Sequence, residues 1–171
     1  MLENHKIRLR ILEENDVEYI KRWHNDYETT KFTTLTSFIP RTMSEEQNWY
    51  ERKITETSSR MFIIEDIETC TVIGMVSFSN LDYRNQKALL SIIIGNREFR
   101  GRGLAAQAVH LLEELLKKEF NIRKVTVQIL SFNTLSLRLF EKIGYIKEGI
   151  LKEEIYRGGE FHDLFLLSKF L

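Results

Sequence analysis

Cysteine, proline and a surplus of either charge are what this sequence has least of. Its 171 residues include one cysteine (Cys70) and one proline (Pro40). A single thiol excludes an internal disulfide and points to a reducing, cytoplasmic setting. Lys plus Arg and Asp plus Glu each number 25, so the basic excess of a nucleic-acid-binding surface is missing. No apolar run approaches the roughly 20 residues of a membrane span, and the start MLENHKIRLR has no signal-peptide core. Low-complexity segments, linkers and internal repeats are absent as well. What is present is 43% hydrophobic and 29% charged residues, the composition of a soluble folded protein. The length favours one domain, residues 1–171, with a sizeable core.

Periodicity divides the chain into short elements. Residues 6–11 alternate polar and apolar, as a half-buried strand does. Asn15 or Asp16 offers a helix cap, followed by Val17, Ile20 and Trp23 at helical spacing. The threonine-rich stretch 27–41 contains Pro40 and reads as a loop or a broken helix. Ser44 and Gln47 form a capping-box pattern that starts a second helix, running to about Ile54. Strands are expected at 61–66, 71–78 and 88–94, then a long helix over 103–120 with Leu104, Ala108, Leu111, Leu112, Leu115 and Leu116 on its apolar side. A buried strand at 124–130, a short helix at 133–143 stopped by Gly144, and strands at 145–156 and 161–168 complete the order βααβββαβαββ. The strand–helix–strand unit in the middle requires a parallel pair, while the meander strands pair antiparallel. The fold class is therefore mixed α/β, with helices on the faces of a mixed sheet.

The stretch GNREFRGRGLAAQAV, residues 95–109, stands between a strand and the long helix. Unpaired N–H groups at a helix start attract anions, glycines admit close approach, and arginines add charge-assisted bonds. A tight turn with solvent-facing arginines is the competing reading of the same residues. Gly101-Arg102-Gly103-Leu104-Ala105-Ala106 has the GxGxxA form of a dinucleotide-binding fingerprint. That fingerprint needs its first glycine directly after the strand, whereas Gly95 to Arg100 intervene here, and no acidic residue lies in Gln128 to Ser131. A Walker-type GxxxxGK loop is absent too.

With those residues in view, the chain resembles the GNAT acetyltransferase superfamily. Arg100, Gly103 and Ala105 fill its coenzyme-A signature: Arg or Gln, two residues, Gly, one residue, then Gly or Ala. Asn133-Thr134-Leu135-Ser136 followed by Phe140-Glu141-Lys142-Ile143-Gly144-Tyr145 is similar to its second signature. Glu148-Gly149 and the ending Tyr156-Arg157-Gly158-Gly159-Glu160-Phe161-His162-Asp163 resemble the branch of ribosomal-protein N-terminal and spermidine acetyltransferases. The likeness extends over roughly residues 7–168. It implies a splayed central sheet of about seven strands, acetyl-coenzyme A as co-substrate and no metal. The coenzyme's pyrophosphate would rest on the N–H groups of Arg100, Gly101, Arg102, Gly103, Leu104 and Ala105. Its pantetheine arm would run along Ile92, Ile93 and Ile94 as an added strand, and Asn133 would reach the coenzyme from the next helix while capping it.

The reaction the resemblance implies is direct attack of a neutral amine on the thioester. Many relatives carry a tyrosine proton donor four residues before the glycine of the second signature, where this chain has Phe140. The ribosomal-protein branch instead uses a serine three residues after the asparagine, which makes Ser136 the candidate beside the sulfur; a role in satisfying the first helical turn is the alternative. Glu153 and Glu154, on opposite sides of one strand, are the candidates for the base. Tyr145 is expected to pack in the core. His5, His24, His110 and His162 show no metal-ligand spacing, and Cys70 has no histidine partner by sequence. The acceptor should contact residues 27–41 and the last hairpin. Thr29-Thr30-Lys31-Phe32-Thr33-Thr34-Leu35-Thr36 lacks carboxylates, which favours an amino sugar, an amino acid or a peptide N-terminus over a polyamine such as spermidine. A non-catalytic acyl-coenzyme-A-binding regulatory module is the rival from another class. The expected partners are thus a small-molecule amine or peptide N-terminus, with a homodimer left open and neither nucleic acid nor membrane involved.

Overall fold

The alternation of strand β2 (Ile7–Ile11) sets its buried face: Ile7 and Leu9 go inward while Arg8 and Arg10 stay at the surface. The computed structural model describes residues 2–171. Strand β1 (Leu2–Glu3) precedes β2 and pairs with it, an addition too short for any periodicity to reveal. Then come helices α1 (Val17–His24), α2 (Tyr27–Thr33) and α3 (Met43–Thr55), and strands β3 (Arg60–Asp66), β4 (Val72–Asp82) and β5 (Lys87–Ile93). The rest comprises α4 (Leu104–Phe120), β6 (Lys124–Leu130), α5 (Thr134–Lys142), β7 (Ile146–Arg157) and β8 (Glu160–Phe170). The strands form an 8-stranded sheet of order β1-β2-β3-β4-β5-β6-β8-β7. Only β5 and β6 run parallel; every other neighbouring pair is antiparallel. The mixed α/β expectation is met, with one strand more than the seven anticipated.

Helices cover both faces. Leu104, Ala108, Leu112 and Leu116 of α4 pack with Phe140 of α5 against Ile64, Val76, Ala88 and Val125 of the sheet. On the opposite face Ile20 and Trp23 of α1, with Trp49 of α3 at their margin, meet Ile63, Val72 and Met75. Burial of each leucine, isoleucine, valine, methionine or phenylalanine among them stabilises the fold by about 1.5–3 kcal/mol. None of the described helices is long and apolar enough to cross a membrane, and no group of His, Cys, Asp or Glu among the described residues is arranged to hold a metal ion.

Of the two readings of residues 27–41, the broken helix is the one found: residues 27–33 are helical, and their threonines bond back along the helix, Thr30 Oγ1 to the Asp26 carbonyl at 3.0 Å and Thr33 Oγ1 to the Thr29 carbonyl at 3.2 Å. Two local expectations need correction. Helix α3 is capped by Thr42 rather than Ser44. Thr42 Oγ1 accepts from Glu45 N (3.3 Å), and Glu45 Oε2 accepts from Thr42 N (2.7 Å), a reciprocal capping box one residue pair upstream of the expected one. Asp16 precedes α1 as anticipated but caps nothing there with its side chain. Its buried carboxylate takes the Arg10 guanidinium at 2.7 and 2.8 Å, and Arg10 Nε also donates to Glu65 at 2.8 Å. Asp16 Oδ2 also accepts from Glu13 N at 2.9 Å, so the carboxylate closes the short turn before α1 rather than capping α1 itself.

Candidate active site

The site begins where β5 and β6 separate. They are in register only from Lys87 opposite Lys124 to Leu89 opposite Thr126. Beyond that point β5 stays paired with β4 as far as Ile93 opposite Met75, and β6 with β8 as far as Leu130 opposite Leu164. Each strand follows its antiparallel neighbour, and sheet twist carries the two apart. One side of β5 beyond Leu89 is therefore left without a strand partner. The opening holds Ser91, Gln128, Ser136 and Phe140 on its walls.

The turn that follows β5 is built by close contacts. Gly95 lies against the Trp23 ring; a Cβ there would stand 2.1 Å from Trp23 Cε2, so no other residue fits. Asn96 caps the next short turn through Glu98 N at 3.1 Å. Arg97 Nη2 donates to both oxygens of Asp26, at 2.8 and 2.9 Å. Asp26 in turn accepts from Thr29 Oγ1 at 2.5 Å, and Thr29 Oγ1 accepts from Arg100 Nη2 at 3.0 Å. Arg100 Nε donates to the Ile94 carbonyl at 2.9 Å. The hydrogen bond from Thr29, then the one from Arg97, hold the Asp26 carboxyl below its usual range. Burial, with Arg97 nearby, lowers Arg100 from the ordinary arginine value, only partly offset by Asp26; a guanidinium remains charged at neutral pH even so.

Helix α4 then starts at Gly103, which adopts the left-handed conformation (φ 74°) and supplies no capping side chain. The first turn contains no acidic residue. Its N–H groups and the positive end of a 17-residue helix therefore face outward uncapped, an arrangement that fits a phosphate. A cleft of about 440 Å³ runs from this helix start to α5. It brings together the anticipated Ile92, Ile93, Ile94, Arg100, Gly101, Gly103, Leu104, Ala105, Asn133 and Ser136. Arg102 is not on its walls; its guanidinium lies 4.9 Å from the centre of the Phe99 ring.

Asn133 and Ser136 sit where α5 begins. Asn133 Oδ1 accepts from Ser136 N at 3.2 Å, the expected cap, and Asn133 Nδ2 donates to the Phe32 carbonyl at 3.1 Å. Phe32, Thr33, Ile92, Asn133 and Ser136 line both the cleft and the opening between the strands. Phe140 is buried, edge-on to Tyr145 with ring centres 4.9 Å apart. Tyr145 is 3% exposed, in the core as expected, and burial followed by the charge of Glu113 pushes its phenol well above the usual value. Glu153 and Glu154 are exposed on β7 and line neither the cleft nor the opening. Glu153 is the bulged residue (φ 51°), with its N–H donating to Asp163 at 3.0 Å.

Sequence reasoning set residues 27–41 beside the acceptor but missed how α2 supports Arg100 and Asn133. Thr29 orients Arg100, Phe32 supplies a carbonyl to Asn133, and both line the cleft. Only the helical spacing of Thr29, Phe32 and Thr33 hinted at a shared face. A segment with a single apolar residue among threonines offers little periodic signal.

Comparison with known proteins agrees with this geometry. A profile of the acetyltransferase (GNAT) domain matches residues 6–146. A spermidine N(1)-acetyltransferase of Vibrio cholerae is 26% identical, over 98% of this chain and 97% of its own length. A putative ribosomal N-acetyltransferase of Bacillus subtilis is 33% identical over 56% of this chain and 51% of its own. The crystal structure of a Vibrio cholerae spermidine N-acetyltransferase in complex with CoA and spermine has the same fold, with a TM-score of 0.90 at 24% identity, covering 98% of this chain and 96% of that one. The chain belongs to the GNAT acetyltransferase family and is an enzyme that takes its acetyl group from acetyl-coenzyme A.

Proposed function

We propose that this protein, as one acetyltransferase domain over residues 1–171, acetylates the primary amine of an amino sugar, an amino acid or a peptide N-terminus by direct attack. The observation that carries the reading is the junction of the two cavities, where Ile92, Asn133 and Ser136 line both. A donor lying along the cleft and an acceptor entering the opening would meet there.

In this reading the uncapped N–H groups at Leu104 and Ala105, with Gly101 and Gly103 open above them, hold the pyrophosphate, and Arg100 adds charge from a side chain already oriented by Thr29. The free edge of β5 at Ile92, Ile93 and Ile94 holds the pantetheine arm by main-chain bonds. A backbone N–H of the same strand meets the oxygen that gains negative charge during attack. Ser136 stands beside the sulfur. Glu153 and Glu154 are too exposed to share the opening in the described conformation, so the role of base passes elsewhere. A cytoplasmic location accords with the lone thiol of Cys70.

Polyamine acetylation is the second reading. The observation favouring it is the spermidine N(1)-acetyltransferase that aligns over nearly the whole chain. One experiment separates the two: release of free thiol from acetyl-coenzyme A, with mass spectrometry of the product, across spermidine, amino sugars, amino acids and Ala- or Ser-starting peptides. Turnover confined to spermidine overturns the first reading. Thermal stabilisation by acetyl-coenzyme A without thiol release for any amine overturns both and leaves a coenzyme-binding module.

A further inference from the structure

The two faces of the sheet differ where β5 and β6 part. On one face Ala88, Leu90, Val125 and Val127 are buried in the core beneath α4. On the other, α1 and α3 cover the sheet only as far as Met75 and Ile93. By alternation the next position along that face of β5 is Ser91, and Gln128 of β6 lies on the same face; both are exposed. Had the pair stayed in step beyond Leu89 and Thr126, Ser91 would stand opposite Gln128. Because the strands separate, a hydroxyl and an amide look into the opening from its two sides. The opening's other polar side chains are engaged elsewhere. Asn133 accepts from Ser136 N and donates to the Phe32 carbonyl, and Thr33 Oγ1 donates to the Thr29 carbonyl. Ser136 borders the coenzyme cleft as well, whereas Ser91 and Gln128 line the opening and no part of that cleft. The remaining lining is apolar, without a charged side chain among the described residues.

We infer that Gln128 and Ser91 set acceptor specificity, by hydrogen-bonding an uncharged hydroxyl carried next to the reacting amine. The inference rests on the acetyl-transfer reading above and narrows its acceptor to hydroxyl-bearing amines. A side-chain amide offers two donors and a carbonyl oxygen, and a serine hydroxyl one donor and two lone pairs. A substrate hydroxyl matches both residues at once, donating to one and accepting from the other. A bare hydrocarbon at the same place strips water from the amide and the hydroxyl and returns no hydrogen bond. A second ammonium meets oxygen acceptors there but no carboxylate to balance its charge. The position of the pair also separates its role from bond making: Ile92, Asn133 and Ser136 border both donor and acceptor, and Ser91 and Gln128 only the acceptor's side. An amino sugar and a peptide that starts with serine both present such a hydroxyl.

The test measures thiol release from acetyl-coenzyme A with two matched pairs of amines. One pair is a Ser-starting against an Ala-starting peptide of otherwise identical sequence. The other is glucosamine against the same sugar lacking the hydroxyl on the ring carbon next to the amine. Within each pair kcat/KM is expressed as the ratio of the hydroxyl-bearing member to its analogue. A neighbouring hydroxyl also acidifies an amine, so the deciding quantity is the change in that ratio between wild type and variant, from which this effect cancels. The expected result is a ratio that falls about tenfold in Gln128→Leu, and by less in Ser91→Ala, for at least one pair, which then identifies the source of the hydroxyl. Ratios unchanged by both substitutions in both pairs would overturn the inference. So would a wild-type protein that turns over spermidine faster than either hydroxyl-bearing amine. Gln128→Glu keeps the shape of the side chain and supplies the missing carboxylate, which tests the assignment even if Gln128→Leu does not fold. It should raise kcat/KM for spermidine by about tenfold; an unchanged value would remove Gln128 from acceptor recognition. If no amine releases thiol from the wild-type protein, the acetyl-transfer reading itself has failed, an outcome distinct from an unaltered ratio.

Discussion

Arg157 Nη2 donates to the carbonyls of both Thr34 and Thr36, at 2.7 and 2.9 Å. One guanidinium at the end of β7 thus holds down the extended segment after α2, the segment whose Leu35 lines the opening between β5 and β6 beside Thr33 of the helix. Arg157 is nine-tenths buried and has no carboxylate partner; its Nη1 makes no hydrogen bond. Its charge is therefore spent on main chain, where two donors from one rigid plane fix the segment more closely than an ammonium can.

Replacing Arg157 by methionine should raise the KM for the acceptor by about tenfold while leaving the KM for acetyl-coenzyme A nearly unchanged. Stability should fall by about 3 kcal/mol or more, the scale of losing two hydrogen bonds from a charged donor at about 1.5–3 kcal/mol each. Lysine at the same position should recover little of either. Steady-state kinetics with each substrate varied in turn, together with urea denaturation, would measure the three effects.

Gly103 combines a positive φ with open space around the position a Cβ would take. Gly103→Ala should therefore cost about 1 kcal/mol through backbone conformation alone. The same strain tilts the first turn of α4, so weaker binding of acetyl-coenzyme A is expected alongside it. Thermal unfolding with and without the coenzyme separates the two losses. Equal Tm values for variant and wild type without ligand would contradict the left-handed start of the helix.

Asp26 links Arg97 to Thr29 and, through Thr29, to Arg100. Its carboxyl is held below the usual value first by the Thr29 hydroxyl and then by Arg97. A carboxyl with a lower pKa folded than unfolded adds stability that is complete above the unfolded value near ~3.9 and disappears as pH falls through the folded one. Between pH 5 and pH 7 the contribution is constant; below about pH 4 it is lost. Asp26→Asn should consequently flatten the acid limb of a Tm-versus-pH curve and leave the neutral region parallel to the wild type. At neutral pH the variant should also bind acetyl-coenzyme A less tightly, because Thr29, which orients Arg100, loses its carboxylate partner.

Tyr145 is a buried phenol beside the Glu113 carboxylate whose oxygen makes no hydrogen bond of good geometry. Tyr145→Phe removes that polar atom and keeps the edge-on contact with Phe140. Stability should be unchanged or higher by up to about 1 kcal/mol, and kcat should be unaffected, since the ring lies in the core rather than in the cleft. A large loss of kcat would reassign this tyrosine to the chemistry that Phe140 cannot perform.

The parts of the fold that were legible share one property: their pattern is set within a few residues. The alternation of Ile7 and Leu9, the spacing of Leu104, Ala108, Leu112 and Leu116, and the paired signatures around Arg100–Ala105 and Asn133–Tyr145 needed no knowledge of distant neighbours. Helix α2 was only half legible, as one of two readings, because its threonines prefer non-helical backbone until their hydroxyls bond to carbonyls a turn away. The place of Glu153 and Glu154 was not legible either: β7 carries a bulge between Leu151 and Ile155, and alternation fails across a bulge.

By itself, then, the sequence determined the order of elements, the mixed sheet, the glycine-led start of the long helix and the residues of the two signatures. Each follows from local periodicity, capping chemistry or the stereochemistry of glycine. Only the tertiary structure decided that β5 and β6 part after Leu89, that α2 closes over the opening, and that Thr29, Asp26 and Arg157 steady its walls. These are contacts between residues as much as 123 positions apart. They arise from twist, burial and hydrogen bonds that exist only once the sheet has brought the segments together.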